Sequence, residues 1–126
     1  MEKQIINTTG APAPIGPYNQ AMKVGDFLFV SGQIPMDAVT GEIVKSGIQD
    51  ETEKVMENLA AILKEAGMDF SNVVKSSIFI TDMNQFALIN EIYAKYFPTN
   101  APARETVQVA ALPKFVNVEI SVIASN

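Results

Sequence analysis

Between Asp50 and Ala66 the apolar residues Val55, Met56, Leu59, Ile62, Leu63 and Ala66 recur at the 3.6-residue period of an α-helix and fall on one face. A helix with one apolar face has to bury it against a second layer. Asp50 with Glu53 fits a cap at its start, and Gly67 stands where a C-terminal glycine belongs. Glu51, Glu53, Glu57 and Glu65 read as a solvated face, not as a metal site, and Met56 and Met68 as core filler.

The second layer is supplied by strands on both sides of this helix. Gln4-Ile5-Ile6 starts a short strand, and Asn7 to Pro17 is an arm rich in Thr, Gly, Ala and Pro. Asn19–Val24 and Phe27–Ser31 are strands joined by Gly25-Asp26, a hairpin signal. Met36 to Gly47 is turn-rich, with Gly41 and Gly47 as breakers. Beyond the helix, Val73–Thr81 reads as a strand with Val74, Ile78 and Ile80 on one side. Asp82 with Gln85 caps a second helix reaching about Phe97, its apolar face made of Phe86, Ile89, Tyr93 and Phe97, and Pro98 ends it. Thr106–Ala111 and Val116–Ala124 are the last strands, read as a hairpin through Leu112-Pro113-Lys114. The order β-β-β-α-β-α-β-β specifies an α+β fold with both helices on one face of a sheet.

A chain of 126 residues without repeat or linker is expected to form one domain over residues 1–126. It has no run of about 18 apolar residues to span a membrane. Met1-Glu2-Lys3-Gln4 lacks the pattern of a secretion signal, so the expected location is cytoplasmic. There is no Cys and no His. Those absences exclude a thiol nucleophile, a disulfide scaffold, a thiolate zinc site and a Ser-His-Asp triad. A net charge of −5 and a pI near 4.6 argue against broad nucleic-acid binding, which needs a basic surface.

Five residues stand out as candidates. Arg104 follows Ala101-Pro102-Ala103, where a restricted backbone helps aim a guanidinium fork at a carboxylate. Its bland alternative is a surface ion pair with Glu105. Glu119 is the lone acid in an apolar strand and is either a proton acceptor or a solvent-facing position. If the last two strands form the hairpin, Val107, Val109 and Ala111 face Ile120, Val118 and Val116 in the core. Arg104, Thr106, Gln108 and Glu119 then share the other face. On periodicity alone, a solvated polar face is the favoured reading. Tyr18 ends the loop Ile15-Gly16-Pro17-Tyr18 as either a site or a packing tyrosine. Ser31, before Gly32, is either a donor to a ligand or ordinary turn chemistry. Asn90 lies among apolar neighbours on the second helix, and a flank position is the favoured reading. No GxGxxG or Walker pattern occurs.

Taken in order, several segments resemble the RidA/YjgF family of reactive-intermediate deaminases. They are Ala13-Pro14-Ile15-Gly16-Pro17-Tyr18-Asn19-Gln20, Val30-Ser31-Gly32-Gln33-Ile34-Pro35, Val73-Val74-Lys75, Asn90-Glu91-Ile92-Tyr93, Pro102-Ala103-Arg104, Leu112-Pro113-Lys114 and Val118-Glu119-Ile120. The resemblance implies a chorismate-mutase-like α+β fold with a roughly six-stranded, mainly antiparallel sheet. It implies a homotrimer with three clefts between subunits, and hydrolysis of 2-imino acids to 2-keto acids and ammonia with no cofactor and no metal. Arg104 matches the arginine that takes the substrate carboxylate, and Glu119 the glutamate near the attacking water. Tyr18, Ser31 and Asn90 match cleft positions. Glu105 and Thr106 stand where the family usually has Ser and Cys, and Ala110-Ala111 where it has Ala-Arg. Thr106 is expected to act through its backbone carbonyl. Competing readings are a trimer that binds a small carboxylate metabolite without turnover, an RNA-acting or translation-inhibiting protein, and a chaperone-like partner.

Overall fold

In the computed structural model, which describes residues 1–126, six strands form one sheet. The strands are β1 (Lys3–Ile6), β2 (Ala21–Val24), β3 (Phe27–Gln33), β4 (Val73–Ile80), β5 (Ala103–Gln108) and β6 (Val118–Ser125). The helices are α1 (Ile48–Glu65) and α2 (Phe86–Ala94). The spatial order is β1-β2-β3-β6-β4-β5, antiparallel except for the β4–β5 pair. The α+β architecture and the order of elements agree with the sequence reading. No helix is long and apolar enough to cross a membrane.

α1 forms where the periodicity places it, with Val55, Met56, Leu59, Ile62 and Leu63 buried. Gly67 closes it at φ 74°, and the Met68 N–H donates to the Leu63 carbonyl at 2.8 Å. Its start differs from expectation. The helix begins at Ile48 with no side-chain cap, and Asp50 instead accepts from the Ser46 hydroxyl at 2.7 Å. Glu51 is not solvated: it is buried, and both its oxygens accept from Asn117 Nδ2 at 3.1 Å. Glu53 accepts from the Tyr96 hydroxyl and ties α1 to the segment after α2. α2 stops at Ala94, yet Phe97 still packs in the core, 4.7 Å from Tyr93 between ring centroids.

The helices cover one sheet face. It presents Leu28 and Val30 of β3, Ser76, Ile78 and Ile80 of β4, and Val118, Ile120, Val122 and Ala124 of β6, all buried. Within β4 the expected grouping of Val74 with Ile78 and Ile80 fails. A register shift between Val73 and Lys75 reverses the alternation, so Val73 is buried and Val74 exposed. The other face has no covering layer in the chain and exposes Phe27, Phe29 and Val107.

The last two strands do not form a hairpin. β6 runs between β3 and β4, and β5 pairs with β4 in parallel at the open edge. Helix α2 is the crossover that a parallel pair requires. The connection through Leu112, Pro113 and Lys114 therefore carries the chain from the edge past β4. The pairings of Val107, Val109 and Ala111 with Ile120, Val118 and Val116 do not exist. Replacing Leu59, fully buried under the sheet, with Ala is expected to lower unfolding free energy in urea by about 3 kcal/mol. A loss under about 1 kcal/mol would contradict the docking of α1 described here.

Candidate functional site

Arg104 lies opposite Ser76 in the β4–β5 register, and Ser76 is buried on the helix side. The arginine therefore projects beneath α2. Its Nη1 donates to Asn90 Oδ1 at 2.6 Å, and its guanidinium carbon sits 5.6 Å from the Phe86 ring centroid and 5.0 Å from that of Tyr93. The Tyr93 hydroxyl donates to Ser76 Oγ at 2.9 Å, which fixes the ring that fixes the guanidinium. Burial raises the Tyr93 phenol above its ordinary pKa, against the opposing effects of the Ser76 bond and the Arg104 charge. Asn90 is thus an orienting group for Arg104 and not a helix-flank residue. Arg104 makes no ion pair within the chain, so the rest of its fork is available to an anion.

Glu105, next in sequence, points to the opposite face. It pairs with Lys75 Nζ at 2.8 Å and accepts from the Ser77 hydroxyl. Those bonds, Lys75 first, hold its carboxyl below the usual carboxylate range. The surface pairing of Arg104 with Glu105 does not form. Thr106 returns to the Arg104 side, where its Oγ1 is buried without a hydrogen-bond partner. The Val109 N–H donates to the Ile80 carbonyl. By alternation along a parallel pair, the backbone N–H and C=O of Arg104 and Thr106 point off the open edge of the sheet.

Glu119 lies elsewhere. It stands opposite Phe79, which stands opposite Val107, so its side chain is on the uncovered face. The expectation that Arg104, Thr106 and Glu119 share one face is overturned. In one chain the sheet stands between the guanidinium and this carboxylate. Around Glu119, an open cleft is lined by Ile15, Tyr18, Ser31, Gly32, Ile34 and Pro113. A Cβ on Gly32 would lie 2.8 Å from Glu119 Cδ and 3.0 Å from Oε2, so only glycine lets the carboxylate seat there. Partial burial, with no hydrogen bond to relieve it, pushes the Glu119 pKa up.

A register shift between Val30 and Gln33 lifts Ser31 and Gly32 out of the β3–β6 ladder. Ser31 donates its hydroxyl proton to the Asn19 carbonyl at 2.7 Å, so toward a ligand it is an acceptor and not the donor expected. The Tyr18 hydroxyl accepts from the Ile15 N–H at 3.4 Å and keeps its own proton to give. Sequence reasoning missed Gln20. This buried amide accepts from the Thr8 N–H at 2.6 Å and donates to the carbonyls of Thr8, Ala11 and Pro12 at 2.9–3.2 Å, pinning the arm that precedes Tyr18. Its signal was an amide at the start of an apolar strand, directly after Tyr18-Asn19. No cluster of three or more His, Cys, Asp or Glu side chains that could hold a metal occurs.

The candidates therefore fall into two half-sites: Arg104, Asn90 and Thr106 at the edge, and Tyr18, Ser31 and Glu119 across the sheet. Comparison with known proteins gives these residues a context. A family model described as endoribonuclease L-PSP matches residues 8–126. The chain is 53% identical over 122 residues to a RutC family protein of Pyrococcus horikoshii, covering 97% of each. It is 48% identical to the 2-iminobutanoate/2-iminopropanoate deaminase of Mus musculus, over 97% of this chain and 90% of that protein. The crystal structure of E. coli TdcF with bound serine is similar, with a TM-score of 0.94, 44% identity and 98% coverage of both chains.

The Gly32–Glu119 contact can be measured without an assay for function. Gly32→Ala is expected to destabilise the chain by about 1–3 kcal/mol through overpacking, and Glu119→Ala in the same chain to recover at least about 1 kcal/mol of it. Additive effects in urea denaturation would contradict the contact.

Proposed function

The chain belongs to the RidA/YjgF family, whose model is described as endoribonuclease L-PSP, and from that membership we propose that it hydrolyses 2-imino acids to 2-keto acids and ammonia. The observation that carries this reading is the Arg104 fork. It is oriented by Asn90, flanked by two rings, and has no carboxylate of its own. A 2-imino acid supplies that carboxylate. Deaminases of this name in mouse and human are 48% and 46% identical to the chain.

The chemistry makes modest demands. A protonated imine carbon is already electrophilic, so the protein has only to position it and one water. Arg104 holds the substrate carboxylate, and the Thr106 carbonyl, free at the sheet edge, accepts a hydrogen bond from the water. Glu119 takes a proton from that water as its oxygen bonds to C2, and the C=N electron pair moves to nitrogen. The raised pKa of Glu119 brings its basicity closer to that of a general base at neutral pH. Glu119 passes that proton to the nitrogen and then accepts the remaining hydroxyl proton as the C–N bond breaks, so that C2 becomes a carbonyl and ammonia leaves. Tyr18 and Ser31 shape the wall of the cleft.

Because the two half-sites face apart in one chain, the reading requires a second copy. The proposed assembly is a homotrimer in which the Arg104 edge of one subunit meets the Glu119 cleft of its neighbour. The uncovered sheet face with Phe27, Phe29 and Val107 supports burial against other copies. A second reading, binding of a small carboxylate without turnover, is favoured by one observation: the similar TdcF was solved with serine bound. The acidic pI and lack of His weigh against RNA cleavage.

The test generates 2-iminobutanoate in situ with a threonine dehydratase and follows its decay. Wild type is expected to accelerate decay, and Arg104→Ala to lose roughly 100-fold or more in kcat/KM, the scale of removing a positioning clamp. No acceleration by wild type would contradict the deaminase reading. Full activity in Arg104→Ala would contradict the clamp.

A further inference from the structure

Seven residues of the chain have positive φ, and five of them are Gly or Asn: Gly25, Gly41, Gly47, Gly67 and Asn100. Those residues enter the left-handed region at little or moderate cost. The two exceptions are consecutive, Lys114 at φ 58° and Phe115 at φ 55°. A bulky aromatic there is a strained choice that persists only when something overrides it. Nothing inside the chain repays it. Phe115 is 89% exposed, whereas Leu112 and Val116 on either side of the turn are buried and anchor it. The backbone of the turn that carries the ring is fixed by the Phe115 N–H to Leu112 carbonyl bond of 2.9 Å and the Val116 N–H to Pro113 carbonyl bond of 3.4 Å.

The position of this turn matters. Pro113 lines the cleft that contains Tyr18, Ser31, Gly32 and Glu119. At no more than about 3.6 Å per residue, the Phe115 Cα lies within roughly 7 Å of that of Pro113, so the exposed ring is within reach of the edge of the cleft. Ile15, Ile34 and Pro113 make the adjoining wall apolar. We propose that Phe115 is a specificity residue: its ring closes over the side chain of the substrate and selects for larger apolar 2-imino acids over small ones. This rests on the deaminase reading given above and adds to it which substrates the cleft prefers. The strain is repaid when the ring buries a substrate side chain, a contact that the ethyl group of 2-iminobutanoate makes less fully than a branched four-carbon side chain.

The test compares Phe115→Gly with wild type on two substrates made by an L-amino-acid oxidase, 2-iminobutanoate and 2-imino-4-methylpentanoate. Both Gly and Asn suit the left-handed backbone, so Phe115→Gly and Phe115→Asn are expected to fold with an unchanged or higher melting temperature. Both variants are expected to lower the large-to-small ratio of kcat/KM by about fivefold to tenfold, within the range that hydrophobic contacts discriminate. A ratio unchanged within twofold would overturn the proposal. So would a melting temperature several degrees lower, which would place the ring in the chain's own packing. Loss of the wild-type assembly in light scattering would also overturn it, because the ring would then belong to a subunit contact. If wild type turns over neither imine, the deaminase reading fails separately. The proposal is then decided by calorimetric Kd values for 2-ketobutyrate and 4-methyl-2-oxopentanoate, with the same fivefold shift expected and an unchanged ratio overturning it.

Discussion

Insertion of β6 between β3 and β4 is the constraint on which both half-sites depend. It makes β5 an edge strand, held by parallel pairing to β4 alone. From that register follow the half-buried placement of Arg104 beneath α2, the projection of Glu105 toward Lys75, and the free backbone groups of Thr106 at the edge. The same insertion carries Glu119 to the uncovered face, beside the raised Ser31-Gly32 segment. A one-residue slip of β5 would exchange Arg104 with Glu105 and place an anion under the α2 rings.

That alternation also resolves what a Glu beside the key arginine means. Adjacent strand residues face opposite ways, and Glu105 is occupied by Lys75 and Ser77. Its charge is compensated on the far side of the sheet, while Arg104 is bonded to Asn90 and makes no ion pair. Tyr93 joins the two levels of organisation. It is core to α2, bonded to Ser76 of β4, and at the same time one of the rings that flank the guanidinium.

Local features were legible in the sequence. The period of α1, its Gly67 end and the Gly25-Asp26 hairpin are set by residues a few positions apart, and each appears as read. Long-range pairing was not legible. A period of two tells which residues share a face but not which strand lies alongside, and the short link through Pro113 invited a hairpin. The strand-helix-strand order of β4, α2 and β5 was the signal for a parallel pair, and it outweighs a short loop. The face of β5 was misjudged because both faces of this sheet carry apolar residues, Phe27, Phe29 and Val107 on one and Ile78 and Ile120 on the other. Arg104, Asn90, Tyr18, Ser31 and Glu119 were found individually. Their division into two groups is set by long-range strand pairing, and the bulge at Val73 and the role of Gln20 by contacts distant in sequence.

The central claim is that one working site takes Arg104 from one subunit and Glu119 from another. Mixing Arg104→Ala and Glu119→Gln subunits, each inactive alone, tests it most directly by unfolding and reassembling them together at equal amounts. If sites are shared, random assembly restores both groups in about a quarter of them, and imine hydrolysis returns to about a quarter of the wild-type rate. If the mixture stays as inactive as its components while forming mixed assemblies, the two residues do not meet across subunits and the account is wrong.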